Sequence, residues 1–181
     1  HDQCANAVGC GVVRSGSAMY GMGTVICVVP VFTRRKDAGR MMPLGLNTEH
    51  HAAPGRFVSF LYNQGGCLVK WFRDTFAVLD KQLAAERGED IYPLLFQEIP
   101  AAPSPVFVLP HFTPTGPPEF LAHSSGVILG LKTETSRGEI LKGILEGATY
   151  YLKVLTDALP ALDMEIRDYV AVGGGSYSDT W

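Results

Sequence analysis

Three consecutive glycines near the end of the chain form the motif with the clearest capacity for ligand binding. In DYVAVGGGSYSDTW, the apolar residues 169–172 lead into glycines 173–175, and polar residues follow. A glycine-rich turn after a buried strand lets backbone N–H groups reach a phosphate, because no Cβ blocks the approach. The dinucleotide fingerprint is absent, since Ser178 stands where its last glycine belongs, and the chain has no Walker-type G-K-[ST]. The pattern leaves two interpretations open: a phosphate-binding loop, and a glycine-rich turn without a ligand.

Other residues with catalytic or metal-binding chemistry give weaker signals. Glu49, His50 and His51 are metal-ligand types, but adjacent side chains of a strand point to opposite faces, so a surface role or a core hydrogen bond is favoured. The sequence contains neither H-E-x-x-H nor G-x-S-x-G. Asp2, taken alone, is expected to be a solvated carboxylate. These residues predict no metal site.

Composition narrows the class of protein. The chain has 181 residues, of which 46% are hydrophobic and 18% charged, as expected of one globular domain. A net charge of -3 without a basic stripe argues against nucleic acid as a partner. The longest apolar run, TVICVVPVF, is far shorter than the roughly 20 residues of a membrane span. Four scattered cysteines without a C-x-x-C pair favour reduced thiols and a cytoplasmic location. Because the first residue is His1 and not Met, we expect the chain to be cut at both ends.

The first half of the chain predicts a helix, strands and a second helix. Residues 4–13 are typical of a short helix, and residues 18–32 predict one or two strands with close backbone approach at the glycines. Residues 56–62 predict another strand. Asn63 is then expected to cap an amphipathic helix. The apolar positions of that helix are Leu68, Trp71, Phe72, Phe76, Leu79 and Leu83.

The second half predicts a long connection and a further helix. Residues 86–118 are rich in proline and glycine, and only residues 106–110 indicate a strand within them. Residues 126–131 predict the next strand. Ser136 and Glu139 then form a capping box, which marks the start of a helix. Strands and helices in alternation predict an α/β sheet with helices packed on it.

Four segments together resemble the C-terminal half of the FGGY family of carbohydrate kinases. HDQCANAVGCG at residues 1–11 is similar to the family segment in which an aspartate opens a helix. YGMGTVICV at 20–28 resembles the strand turn whose Gly-Thr contacts ATP phosphates. GVILGLKTETSRGEILKGILEGATY at 126–150 is similar to the family's C-terminal signature, and GGGSYSDTW at 173–181 resembles the loop near the adenosine. Gly143 departs from the signature, which usually has Ala or Ser there. We predict that Gly143 and Gly147 permit close helix packing.

The resemblance implies a fold and a catalytic base. The fold would be α/β, a ribonuclease H-like or actin-like ATPase lobe with a mixed sheet and flanking helices, truncated at both ends. Residues 1–181 would form the nucleotide-side domain of a carbohydrate kinase, without its N-terminal lobe. In that family Asp2 would accept the proton of the sugar hydroxyl as it attacks the γ-phosphate.

The resemblance also implies a set of nucleotide-binding residues. Gly23 and Thr24 would contact the phosphates, and Gly66 would let the nucleotide lie close to the backbone. Lys70 would either reach a phosphate or point to solvent. The remaining members of the set, on the ribose and adenine side, would be Gly174, Gly175 and Ser178.

ATP, Mg²⁺ and a small sugar are the ligands that this resemblance implies. The other lobe of such kinases carries the first phosphate loop, its magnesium-associated aspartate and most sugar contacts. We therefore expect this chain alone to be inactive and its parent kinase to phosphorylate a sugar. PGRFVSFLYNQGG at residues 54–66 is similar to pentulose kinases, which favours a ketopentose such as xylulose and leaves ribulose, fuculose and a polyol as alternatives. Apolar surface left by the absent lobe predicts a homodimer. The alternative is a nucleotide-binding or protein-interaction module without catalysis.

Overall fold

The computed structural model describes residues 2–116 and 119–181 and has a mixed α/β architecture. Its strands are β1 (Ser17–Met22), β2 (Val25–Phe32), β3 (Glu49–His50), β4 (Phe57–Val58), β5 (Leu61–Gln64), β6 (Phe107–Leu109), β7 (Val127–Leu129) and β8 (Asp168–Val172). Its α-helices are α1 (Asp2–Gly9), α2 (Ala38–Met41), α3 (Gly66–Phe76), α4 (Val78–Arg87), α5 (Ile91–Gln97) and α6 (Arg137–Asp157). Short 3-10 segments cover Met42–Leu44, Leu159–Leu162 and Gly174–Tyr177.

The larger sheet has the strand order β3-β4-β2-β1-β8, and β5 pairs with the first half of β2. β1 and β2 form an antiparallel hairpin that turns at Gly23 and Thr24, so the one or two strands predicted in this region are two. β8 is parallel to β1, with Gly21 opposite Val172. Because β1 and β8 run in the same direction, the terminal glycine loop and the hairpin turn lie at the same end of the sheet.

Helices cover both faces of this sheet. On one face, Cys4 and Ala7 of α1 pack against a cluster of sheet residues that includes Met19 and Val29. On the other face, Ala148 and Leu152 of α6 pack with Ile26, Val28, Leu61 and the buried ends of the 3-10 segment Leu159–Leu162. A further cluster joins α6 to α3, α4, α5 and the small β6-β7 sheet. The sheet is therefore sandwiched between α1 and α6.

Helix α6 begins with the predicted capping box and uses glycines to approach its neighbours. The Ser136 hydroxyl accepts a hydrogen bond from the Glu139 N–H, and the Glu139 carboxylate accepts one from the Ser136 N–H. A Cβ at Gly143 would lie 2.7 Å from the Val106 carbonyl oxygen, and one at Gly147 would lie 2.1 Å from that of Val108. The close packing predicted for these glycines is confirmed, and its partner is strand β6.

The helix predicted after Asn63 was wrong in its cap and in its length. Asn63 belongs to β5, and its side-chain amide donates to the Ala148 carbonyl oxygen at 2.7 Å. The chain leaves helical geometry at Ala77, with φ −131° and ψ 36°, so two helices replace one. Because of this break, Leu79 and Leu83 do not continue the buried face of α3 and are 65% and 40% exposed.

Two further predictions about local structure were incomplete. The strand predicted at 56–62 is divided into β4 and β5, because the chain between them is not paired, although Ser59 and Phe60 are buried. The connection predicted at 86–118 contains helix α5, whose start is capped by Asp90 through a hydrogen bond from the Tyr92 N–H. Pro93 fits in its first turn, where the backbone nitrogen needs no intrahelical acceptor. Among the helices of the described residues, none is long and apolar enough to form a membrane span.

Replacing Gly147 by alanine tests the contact between α6 and β6. The new methyl group would be forced against the Val108 carbonyl oxygen, and we expect a loss of about 1–3 kcal/mol in the free energy of unfolding, measured in urea. Gly9→Ala is the matched control, since nothing lies within 4 Å of a Cβ at that helical position. Equal stabilities of the two variants would contradict the close packing of α6 against β6.

Candidate functional site

The turn of the β1-β2 hairpin is fixed to the start of helix α3. The carbonyl oxygen of Gly23 accepts a hydrogen bond from the Gly66 N–H at 3.0 Å, and that of Thr24 accepts one from the Cys67 N–H at 2.9 Å. A Cβ at residue 66 would lie 2.6 Å from the Gly23 oxygen. Gly66 is therefore required by the backbone junction itself. The first two N–H groups of α3 thus donate to carbonyl groups of the protein itself.

The backbone N–H groups of the same turn are not used in the junction with α3. Gly23 and Thr24 are both exposed. Within the part of the chain that the structure describes, neither the N–H of Gly23 nor that of Thr24 donates a hydrogen bond. Two backbone donors and a threonine hydroxyl at one turn are a typical arrangement for binding phosphate oxygens.

Two large side chains connect the terminal glycine loop to this turn. Gly173 has φ 95°, and a Cβ there would lie 2.9 Å from the Met22 carbonyl oxygen. Gly175 is buried, with its Cβ position 2.8 Å from both the Met22 side chain and the Trp181 ring. The same ring reaches within 3.4 Å of the Cβ position of Gly65. Met22 and Trp181 thus hold the hairpin turn, the start of α3 and the terminal loop together.

The remaining residues that were predicted to bind the nucleotide differ in their surroundings. Gly174 is exposed, and nothing lies within 4 Å of its Cβ position. The Ser178 hydroxyl accepts hydrogen bonds from the N–H groups of Thr180 and Trp181, both at 3.2 Å, so it fastens the end of the loop. Lys70 is exposed one turn into α3 and forms no ion pair with a described carboxylate. Direct contact of these residues with a nucleotide stays a prediction.

Asp2 is the first residue of α1 and lies near the same end of the sheet. Its carboxylate is exposed and accepts a hydrogen bond from the Gln3 N–H at 2.9 Å. The Gln3 side-chain oxygen lies 3.7 Å from the Cβ position of Gly21, which places the start of α1 over strand β1. Gly21 precedes Gly23 by two residues, about 7 Å along an extended strand. The start of the described chain and its terminal loop therefore meet at one end of the molecule.

Two groups beside Asp2, the buried Cys27 thiol and the half-buried Tyr62 hydroxyl, are held in their neutral forms. Burial raises the pKa of the Cys27 thiol to about 12, and the negative charge of Asp2 adds to this effect. Burial likewise raises the pKa of Tyr62, with smaller contributions from Cys27 and Asp2. A thiol with so high a pKa is not a nucleophile at neutral pH.

A cavity of about 210 Å³ lies beside the start of β2 and strand β5. It is lined in part by Val25, which follows Thr24, and by Tyr62, which lies close to Asp2. The loop at 111–116 closes the other side, and the Gln64 side chain fixes it by donating to the Thr113 hydroxyl at 2.6 Å. The cavity thus lies next to the hairpin turn, between β5 and the loop at 111–116.

The histidine pair does not form a metal centre. His50, the last residue of β3, is exposed, whereas His51, which follows the strand, is buried. Burial lowers the pKa of His51, whose Nδ1 accepts a hydrogen bond from the Ala53 N–H at 2.8 Å. Among the described residues there is no group of three or more His, Cys, Asp or Glu that could hold a metal ion by protein ligands alone.

The structure brings the predicted glycine segments together, although the site is an open surface. Neither the 210 Å³ cavity nor a second one at the far end of β2 is lined by Asp2 or by the predicted nucleotide residues. Sequence reasoning missed Met22 and Trp181 as the side chains that join these segments. The only signals that could have indicated this role are the position of Met22 between two glycines and that of Trp181 just after the terminal glycine loop.

A family model identifies the chain. Residues 18–181 match the C-terminal domain of the FGGY family of carbohydrate kinases, so the chain belongs to this family. The chain is 24% identical to the xylulose kinase of Bacillus subtilis (strain 168) over 187 residues, which cover 99% of this chain and 34% of that protein. It thus spans about a third of the length of the curated relatives it matches.

Solved structures show the same fold. A xylulose kinase from Brucella ovis superimposes with a TM-score of 0.79 at 24% identity, over 99% of this chain and 35% of that one. The glycerol kinase of Plasmodium falciparum with ADP superimposes with a TM-score of 0.76 at 18% identity, over 99% and 35% of the two chains. The predicted fold class, a lobe of the actin-like ATPase type with a mixed sheet and flanking helices, is confirmed.

Proposed function

We propose that this chain is the nucleotide-side domain of an ATP-dependent sugar kinase that acts on a ketopentose such as xylulose. One observation carries the proposal: the hairpin turn with its free backbone donors, the terminal glycine loop and the Asp2 carboxylate all lie at one end of the sheet. Phosphoryl transfer depends mainly on positioning and on charge stabilisation, which such a set of backbone groups and one base supplies.

The phosphates of ATP would lie against the Gly23–Thr24 turn. There the two backbone N–H groups and the Thr24 hydroxyl would donate hydrogen bonds to phosphate oxygens. The exposed backbone at Gly174 would contact the nucleoside part. Phosphoryl transfer also uses Mg²⁺, which would neutralise phosphate charge and would be bound mainly by the phosphates themselves. The roles proposed for this chain are those of its backbone donors, the Thr24 hydroxyl and the Asp2 carboxylate.

Asp2 would act as the general base. Its carboxylate would accept the proton of the sugar hydroxyl as the hydroxyl oxygen attacks the γ-phosphorus and the bond to the β-phosphate oxygen breaks. The 210 Å³ cavity offers a place for the acceptor, because its lining includes both a neighbour of Asp2 and a neighbour of Thr24. The open surface suits a domain that forms one wall of a cleft, whose other wall lies outside this chain.

The relatives support the ligands and suggest the substrate. The Plasmodium glycerol kinase was solved with ADP, which supports an adenine nucleotide for this chain as well. The Bacillus relative is a xylulose kinase that matches almost the whole chain. The likeness of residues 54–66 to pentulose kinases points to the same substrate, and this segment runs through β5 to the start of α3, beside the site.

Gly174→Ala tests whether the terminal loop contacts the nucleotide. Because a Cβ at this position meets nothing within 4 Å, the free energy of unfolding should stay within about 0.5 kcal/mol of the wild type. The methyl group would occupy space needed by the ligand, so we expect ATP affinity in isothermal titration calorimetry to fall about tenfold. Gly9→Ala, equally open but distant from the loop in sequence, should leave affinity unchanged. Equal affinities in both variants would remove Gly174 from the site.

Asp2→Asn tests the catalytic role in the complete kinase. The amide cannot accept the substrate proton, so the rate of ATP-dependent xylulose phosphorylation should fall by about 10²- to 10⁴-fold. Affinity for ATP should be nearly unchanged, because the proposed nucleotide contacts are backbone groups elsewhere. The 181-residue chain alone should have no such activity. A variant with normal turnover would exclude Asp2 as the base, and a complete protein that binds ATP without phosphorylating any sugar would favour the non-catalytic module.

A further inference from the structure

A basic cavity lies at the opposite end of the sheet from the candidate site. It has a volume of about 300 Å³ and is lined by Arg34, Arg35, Lys36, Asp37, Arg40, Leu162 and Asp163. β2 separates the two ends: it begins next to the Gly23–Thr24 turn and reaches the loop at 33–37 eight residues later, roughly 25 Å away. The cavity is therefore distinct from the proposed nucleotide site.

The walls of the cavity come from two parts of the chain that hydrogen bonds hold together. The Lys36 ammonium donates to the Asp163 carbonyl oxygen at 2.7 Å. The Arg40 guanidinium donates to the Ala161 carbonyl oxygen and pairs with the Asp163 carboxylate at 3.4 Å. Leu162, which is buried, supplies an apolar floor between them. These contacts define the shape of the cavity without any ligand.

The charges of the cavity do not balance. Four cationic side chains line it with two carboxylates, for a local excess of two positive charges, while the whole chain carries -3. Both carboxylates already have partners, since Asp163 pairs with Arg40 and the Asp37 side chain accepts from the Arg40 N–H at the start of α2. In the described part of the chain, Arg34 and Arg35 form no ion pair and no side-chain hydrogen bond.

We propose that this cavity binds a small phosphorylated ligand with at least two negative charges. Adjacent guanidinium groups present planar pairs of N–H donors that match phosphate oxygens in a bidentate manner. The volume is at the lower end of the range for small-molecule sites, which suits a phosphoryl group with a small substituent and is too small for a polymer. The positive excess on a negatively charged chain would draw such an anion to this end of the sheet.

The proposal is tested by calorimetric titration of the 181-residue chain with inorganic pyrophosphate. Wild-type chain should bind at this site in a saturable manner and more weakly as salt is raised. The double variant Arg34→Gln/Arg35→Gln should bind about tenfold more weakly, since it loses the two guanidinium groups without acidic partners. Arg34→Lys/Arg35→Lys keeps the charge but not the planar donors and should lie between the two.

Arg87→Gln is the matched control, because it removes one exposed cation from the end of α4. It should leave pyrophosphate affinity within about twofold of the wild type, and thermal melts should show that every variant is folded. Citrate should bind more weakly than pyrophosphate if the site selects phosphate. Absence of saturable binding would overturn the proposal. Equal affinity in the wild type and the Arg34→Gln/Arg35→Gln variant would also overturn it, and would place the anion at the end of the sheet that carries the hairpin turn and the terminal glycine loop.

Discussion

The junction between the β1-β2 turn and helix α3 is the constraint on which the candidate site depends. Two carbonyl groups of the turn accept the first two N–H groups of the helix, and this contact is possible only because residue 66 has no Cβ. The helix start is thereby satisfied by the protein. The turn presents its own N–H groups outward as a consequence. A phosphate at this site would be bound by the hairpin and not by the helix.

Glycines, which have no Cβ, also set how closely the helices approach their neighbours. Gly147 and Gly143 bring α6 against the backbone of β6, and Gly175 lets the Trp181 ring lie between the terminal loop and the start of α3. Interiors are packed densely enough that a single methyl group at such contacts moves backbone. The glycines therefore fix where the turn, the terminal loop and the start of α3 lie relative to one another, whereas the Cβ position of Gly174 in the same loop meets nothing within 4 Å.

The sequence predicted the features that depend on local chemistry. The capping box at Ser136 follows from hydrogen bonds within a few residues and is present, and the one or two strands predicted at 18–32 are the two strands β1 and β2. The features set by tertiary contacts were not predictable in this way. Asn63 has the residue type of a helix cap, but its amide binds α6, and the break at Ala77 has no signal such as proline. The site residues were located by resemblance, whereas Met22 and Trp181 became visible only through the fold.

The most direct measurement of the central claim is a titration of ¹⁵N-labelled chain with ATP, followed by amide chemical shifts. The account predicts that the amides of Gly23, Thr24 and Gly174 shift together with one saturation curve, because one nucleotide would contact the turn and the loop at the same time. Amides of α5, which packs in a different cluster, should not move. Saturable shifts that leave the hairpin turn and the terminal loop unchanged would contradict the claim that these segments form one nucleotide site.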